Sequence, residues 1–72
     1  MNLMAFQVEV TSESGGRRQV FFVAGESGED ALARLAGHAG LLPAPKLKLQ
    51  RRLSDAEVDM YNLGPDSVVQ YR

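Results

Sequence analysis

Seventy-two residues are enough for one domain with a small core, for which roughly 3–5 kcal/mol of stability is expected. The chain has no cysteine, eight basic and nine acidic residues and a net charge of −1. That excludes disulfides and thiol chemistry and argues against a dedicated nucleic-acid binder. Its apolar runs are too short to span a bilayer, and residues 1–6 lack the basic region and long apolar core of a signal peptide. The expectation is a cytoplasmic single domain over 1–72.

Residues 4–11 alternate, with Met4, Phe6, Val8 and Val10 on one face and Ala5, Gln7, Glu9 and Thr11 on the other. This is the pattern of a half-buried strand. Residues 12–16, SESGG, have turn composition, with glycines free to take positive φ, and residues 17–24 form the return strand of a hairpin. Pairing Thr11 with Arg17 sets Val8 opposite Val20, Phe6 opposite Phe22 and Met4 opposite Ala24. Val20, Phe22 and Ala24 then share the apolar face, and Phe21 and Val23 are left outside beside Gln7 and Ala5. A one-residue slip would reverse that assignment.

Residues 27–40 make the one long helix. Ser27 is the N-cap and Asp30, three residues on, completes a variant of the capping box. Ala31, Leu32, Leu35, Ala36 and Ala39 fall on one stripe. Gly40 is expected as a left-handed C′ residue, and Pro43 forbids continuation. Gly37 weakens the helix by about 1 kcal/mol relative to alanine. With only Leu32 and Leu35 large, this is a thin packing element.

The passage Pro43-Ala44-Pro45 is expected to be extended, because each proline disfavours helix before it. Residues 46–53 alternate again, with Leu47, Leu49 and either Arg51 or Leu53 inward, and Lys46, Lys48, Gln50 and Arg52 outward. Ser54 and Glu57 have capping-box spacing, which gives either a short helical turn through Tyr61 or a brief strand carrying Ala56, Val58 and Met60. Gly64-Pro65-Asp66 is a turn and residues 67–72 a final strand. The order strand, strand, helix, strand, helical turn, strand predicts an α+β two-layer domain, a mixed sheet with the helix across one face.

That order resembles the β-grasp fold of ubiquitin-like proteins. The link Gly40-Leu41-Leu42-Pro43-Ala44-Pro45 is similar to the proline-containing passage after the ubiquitin helix. Val58-Asp59-Met60-Tyr61-Asn62-Leu63 resembles the segment that precedes its last strand. The resemblance implies parallel first and last strands at the centre of the sheet, residues 20–23 as an edge strand, and Tyr61 packed on the helical turn with its hydroxyl on nearby backbone. Conjugable members and sulfur carriers end in Gly-Gly, and this chain ends in Arg72. The resemblance therefore points to the non-conjugated bacterial types: accessory subunits of multicomponent oxygenases, secretion-associated proteins and binding modules of larger machines.

No nucleophile–base pair is apparent around His38, the sole histidine, and the carboxylates of Glu29, Asp30, Asp55 and Glu57 are explained by capping. Gly15-Gly16 lacks the following Lys-Ser/Thr of a phosphate loop. No enzyme activity, metal or cofactor is expected. Phe21 and Val23, with Ala5 and Val68, make an apolar patch on the outer sheet face rimmed by Lys46 and Lys48. The expected function is a non-enzymatic protein-binding module or accessory subunit using this patch, so that Phe21→Asp leaves the fold intact and abolishes binding. Self-association through the edge strand is the homodimer alternative. Two other readings are a small phage or mobile-element inhibitor of a host complex, and a weak nucleic-acid binder through Lys46, Lys48, Arg51 and Arg52. No aromatic is interleaved with those charges in the sequence.

Overall fold

The computed structural model describes residues 3–12 and 16–71. The expected turn residues Glu13, Ser14 and Gly15 and the expected strand residue Arg72 lie outside them. The elements are β1 (Ala5–Ser12), β2 (Arg18–Ala24), α1 (Gly28–Ala36), β3 (Pro45–Arg52), α2 (Asp55–Met60) and β4 (Val68–Tyr71). The α+β class and the order of elements are as expected from the sequence. The capping signal at Ser54 makes a helix and not a strand.

The four strands form one sheet in the order β3-β1-β2-β4, antiparallel at every pairing. Among the described residues the mixed sheet and the parallel pairing of first and last strands are therefore not formed. β1 lies between β3 and β2, and β4 is an edge strand on β2. β2 is interior and not at the edge.

The hairpin register is the one-residue alternative to the expected one. Thr11 pairs with Arg18, Glu9 with Val20, Val8 with Phe21 and Phe6 with Val23. Phe21 and Val23 thus share a face with Phe6, Val8 and Val10, and all five are buried with Ala31 and Leu35 of α1. Met4, Leu32, Leu41, Leu47 and Val68 pack around this cluster. Val20 and Phe22 turn to the opposite face. There Phe22 is buried with Ala5, Leu53, Val58 and Leu63, with Leu3 and Val20 alongside. The sheet has a core on each side, the larger under α1 and the smaller under α2. A strand covered on both faces reads as a continuous apolar run, which is what Val20-Phe21-Phe22-Val23-Ala24 is.

The helix α1 begins as expected. The Ser27 hydroxyl accepts from the Asp30 N–H at 3.1 Å, and Asp30 Oδ2 accepts from the Glu26 N–H at 2.9 Å. It ends at Ala36, with Gly37 as C-cap, shorter than the predicted span. Gly40 is not left-handed; Gly16 is the described glycine with positive φ, at 83°. The link after α1 is held by Gln19, whose Nε2 donates to Gly40 O at 2.9 Å and whose Oε1 accepts from Leu42 N–H at 3.0 Å. The passage Pro43-Ala44-Pro45 is bent and not extended, because Ala44 adopts φ 47°.

β3 carries a register shift opposite Gln7 and Val8. Before it, Leu47 and Leu49 pair with Val10 and Val8 on the α1 face, Leu49 lying on Gly28. After it, Leu53 is buried on the other face. The extra residue re-aims the strand, as bulges do. It settles which of Arg51 and Leu53 turns inward: Leu53 does.

Phe21 is fully buried. Truncating a buried phenylalanine costs about 3–5 kcal/mol, comparable to the whole stability expected at this size. Phe21→Ala should be largely unfolded at 25 °C, and Phe21→Asp, which also buries an unpaired carboxylate, should not fold at all. Far-UV circular dichroism with thermal melting checks this. A wild-type-like cooperative melt of Phe21→Asp would restore the outward assignment of that ring.

Candidate interaction surface

The residues expected to form one outer patch are divided by the sheet. Phe21 and Val23 lie under α1, and Val68, paired with Val23, packs half-buried against the same cluster. Ala5 is buried in the smaller core. Lys46 and Lys48 are exposed as expected; they pair with Thr11 and Glu9 and face away from α1. Of the residues expected to form the site, only Lys46 and Lys48 are exposed. The apolar part fails because the register is shifted by one residue.

A different apolar set occupies the face away from α1. Because β4 pairs with β2, Tyr71 lies opposite Val20 and Val69 opposite Phe22. The Phe22 ring stacks on Tyr71 at 5.3 Å between centroids and meets Tyr61 at 4.5 Å, and Tyr61 and Tyr71 are 6.3 Å apart. Phe22 is the buried base of this trio and the tyrosines are its exposed flanks. Met60, Tyr71, Val69 and Tyr61 are 68%, 48%, 42% and 36% exposed. They are four of the five large hydrophobic residues that stay exposed among those described, the fifth being Leu49. The signal for Val69 and Tyr71 is present in the sequence as alternation in Val68-Val69-Gln70-Tyr71. It acquires a face only once β4 is known to pair with β2.

Tyr61 is placed by the end of α2. It is the C-cap residue, followed by Asn62 in the left-handed conformation at φ 57°. Leu63 N–H donates to Val58 O at 3.0 Å and Asn62 N–H to Asp59 O at 3.1 Å. This is the Schellman pattern, and the contact between Val58 and Leu63 in the smaller core completes it. At the other end the full capping box is made: Glu57 N–H to the Ser54 hydroxyl, and Ser54 N–H to Glu57 Oε1. The same carboxylate takes both terminal nitrogens of Arg51 at 2.8 and 2.7 Å. Arg51 is thereby removed from the basic set and fixes α2 to β3.

Across the sheet the open face reads in rows. One row is Lys46, Thr11 and Arg18; the next is Lys48, Glu9, Val20 and Tyr71. Glu9 is the internal acceptor of this face, 3.7 Å from Arg18 and 2.8 Å from the Gln50 amide, which in turn accepts from Gln7 at 2.6 Å. Lys46 and Lys48 form no ion pair among the described residues. The surface thus runs from a basic edge at β3, across polar β1, to an aromatic edge at β4.

His38 is exposed just beyond α1, with its ring edge-on to Phe21 at 5.6 Å. Among the described residues no group of three or more His, Cys, Asp and Glu side chains could hold a metal ion. No helix among them is long and apolar enough to cross a membrane. An open groove near Arg34 is lined by Leu3, Met4, Gly25, Glu26, Pro65 and Asp66. Arg34 is engaged there by Asp30 and Asp66, each at 3.1 Å, and by Pro65 O at 3.3 Å. Its function is to tie α1 to the approach of β4.

No family model, curated protein or solved structure matches the chain. The likeness to ubiquitin-like proteins rests only on the element order and the two stretches quoted for it.

Arg51 and the Ser54 N–H hold the Glu57 carboxyl at about 2, below its ordinary 4.5. A depressed carboxyl contributes stability that is complete above its unfolded value and is lost as pH falls through its folded one. The stability difference between wild type and Glu57→Gln should therefore be full above about pH 5 and vanish near pH 2. Denaturant midpoints measured across that range check it. A difference independent of pH would show that the carboxylate's charge is not what ties α2 to β3.

Proposed function

We propose that this chain is a non-enzymatic protein-binding module that engages its partner through the sheet face away from α1. The aromatic edge of Tyr61, Val69 and Tyr71, over Phe22 and Val20, is the anchor, and Lys46 and Lys48 are the charged rim. One observation carries the reading. Of the large hydrophobic residues left exposed, nearly all lie at the end of α2 and on β4, next to one another in the sheet or the chain. Tyrosine rings with an apolar body and a polar tip are the residues that interfaces favour. The partner best suited to this surface presents an apolar contact flanked by carboxylates, placed to meet the two lysines.

The ubiquitin-like resemblance supports a binding role by analogy only, and the surface named here does not depend on it. An accessory subunit of a larger assembly and a mobile-element inhibitor would use the same face; neighbouring genes separate those two settings. A nucleic-acid reading is disfavoured by Glu9, whose carboxylate stands in the row between Lys48 and Tyr71 and would face the phosphates.

The test is a purified partner, captured with wild type and titrated against variants while amide shifts are followed. Tyr71→Ala should weaken binding about thirty-fold, the effect of a central aromatic anchor. Lys46→Glu with Lys48→Glu should slow association and reverse its salt dependence, since like charges then face each other. Shifts confined to α1, with Tyr71→Ala binding like wild type, would place the interface elsewhere. Tight binding of a single-stranded oligonucleotide that falls steeply with salt would favour the nucleic-acid reading instead.

A further inference from the structure

The two edges of the sheet are protected very differently. β3 carries Pro45, a bulge, and Lys46, Lys48, Arg51 and Arg52, all features that discourage a further strand. β4 reads Val68-Val69-Gln70-Tyr71, without charge, proline or bulge. Among the described residues no element lies beyond it in the sheet.

The direction of its backbone groups follows from one hydrogen bond. Ala24 N–H donates to Ser67 O at 2.9 Å, so that pair is of the hydrogen-bonded kind. The antiparallel ladder alternates, so Val69 and Tyr71 also turn their N–H and C=O toward β2, and Val68 and Gln70 turn theirs outward. Gln70 is itself exposed.

We propose that a second copy of this chain adds to this edge, β4 against β4, antiparallel about a twofold axis through Gln70. In that register Gln70 exchanges both backbone hydrogen bonds with the partner's Gln70, using the groups that point outward. Val69 lies opposite the partner's Tyr71, and Tyr71 opposite the partner's Val69, on the face away from α1. The strand is therefore self-complementary: Val69 and Tyr71 meet each other across the axis, its centre is an uncharged amide pair, and no like charges within Val68–Tyr71 face one another. Self-pairing of β3 would instead set lysines and arginines together. The pairing joins two four-stranded sheets into one and makes a single aromatic strip from two copies of Tyr61, Val69 and Tyr71. It uses the edge of β4 and stands independently of any other partner. So short a contact makes a weak dimer, populated at about 100 μM and above.

Sedimentation equilibrium over a concentration series tests this, with amide spectra confirming that each variant is folded. Wild type should dimerise. Gln70→Lys and Gln70→Glu, each placing like charges opposite one another, should be monomeric alone. An equimolar mixture should recover the dimer, about tenfold tighter than either variant by itself. Lys48→Glu should leave the dimer unchanged. A wild type that stays monomeric to about 1 mM, well above the range of a weak specific contact, overturns the proposal. So does a wild-type dimer that both Gln70 variants leave unaltered.

Discussion

Phe21 lies under α1 with Val23, and the rest of the molecule is arranged around that burial. The helix offers only Leu35 and Ala31 as fully buried contacts, with Leu32 at the side, so it cannot cover a wide surface. It covers a compact one: Phe6, Val8 and Val10 from β1, Phe21 and Val23 from β2. Placing Phe21 there decides the hairpin register, because side chains alternate faces strictly. The same step sends Val20 and Phe22 to the opposite side. A buried phenylalanine on each face then requires a cover on each face.

The second cover is small, and its ends are well secured for that reason. α2 spans Asp55–Met60, less than two turns, and a helix that short is marginal by itself. It is capped at both ends, tied to β3 by Arg51 and Glu57, and closed over Phe22 by Val58 and Leu63. It does not extend over the whole sheet face. The part it leaves open carries Val69 and Tyr71 at one side and Lys46 and Lys48 at the other. Incomplete coverage of a two-sided apolar strand is thus the physical origin of the open face proposed to bind a partner.

Local signals in the sequence were legible where they are self-contained. Ser27 with Asp30, and Ser54 with Glu57, satisfy exposed backbone donors within a few residues, so their capping can be read without knowing the fold. The alternation of β1 is equally plain, because only one of its faces is strongly apolar. β2 carries no such signal. Val20, Phe21, Phe22 and Val23 are apolar on both faces, so either register buries a phenylalanine, and the choice rests on whether Thr11 pairs with Arg17 or with Arg18. The β3 bulge, the left-handed Ala44 and the position of β4 beside β2 are tertiary outcomes without a local marker. The proposed surface is legible only in part for the same reason: Lys46 and Lys48 alternate outward on a single strand, whereas its apolar half depends on which phenylalanine turns inward.

The most direct measurement is the set of cross-strand nuclear Overhauser contacts between β1 and β2 in a labelled sample. The register described here predicts backbone contacts linking Val8 to Phe21 and Phe6 to Val23, with Phe21 ring protons close to the methyls of Leu35. Contacts linking Val8 to Val20 and Phe6 to Phe22, with Phe22 and not Phe21 beside Leu35, would contradict it and return Phe21 to the outer face.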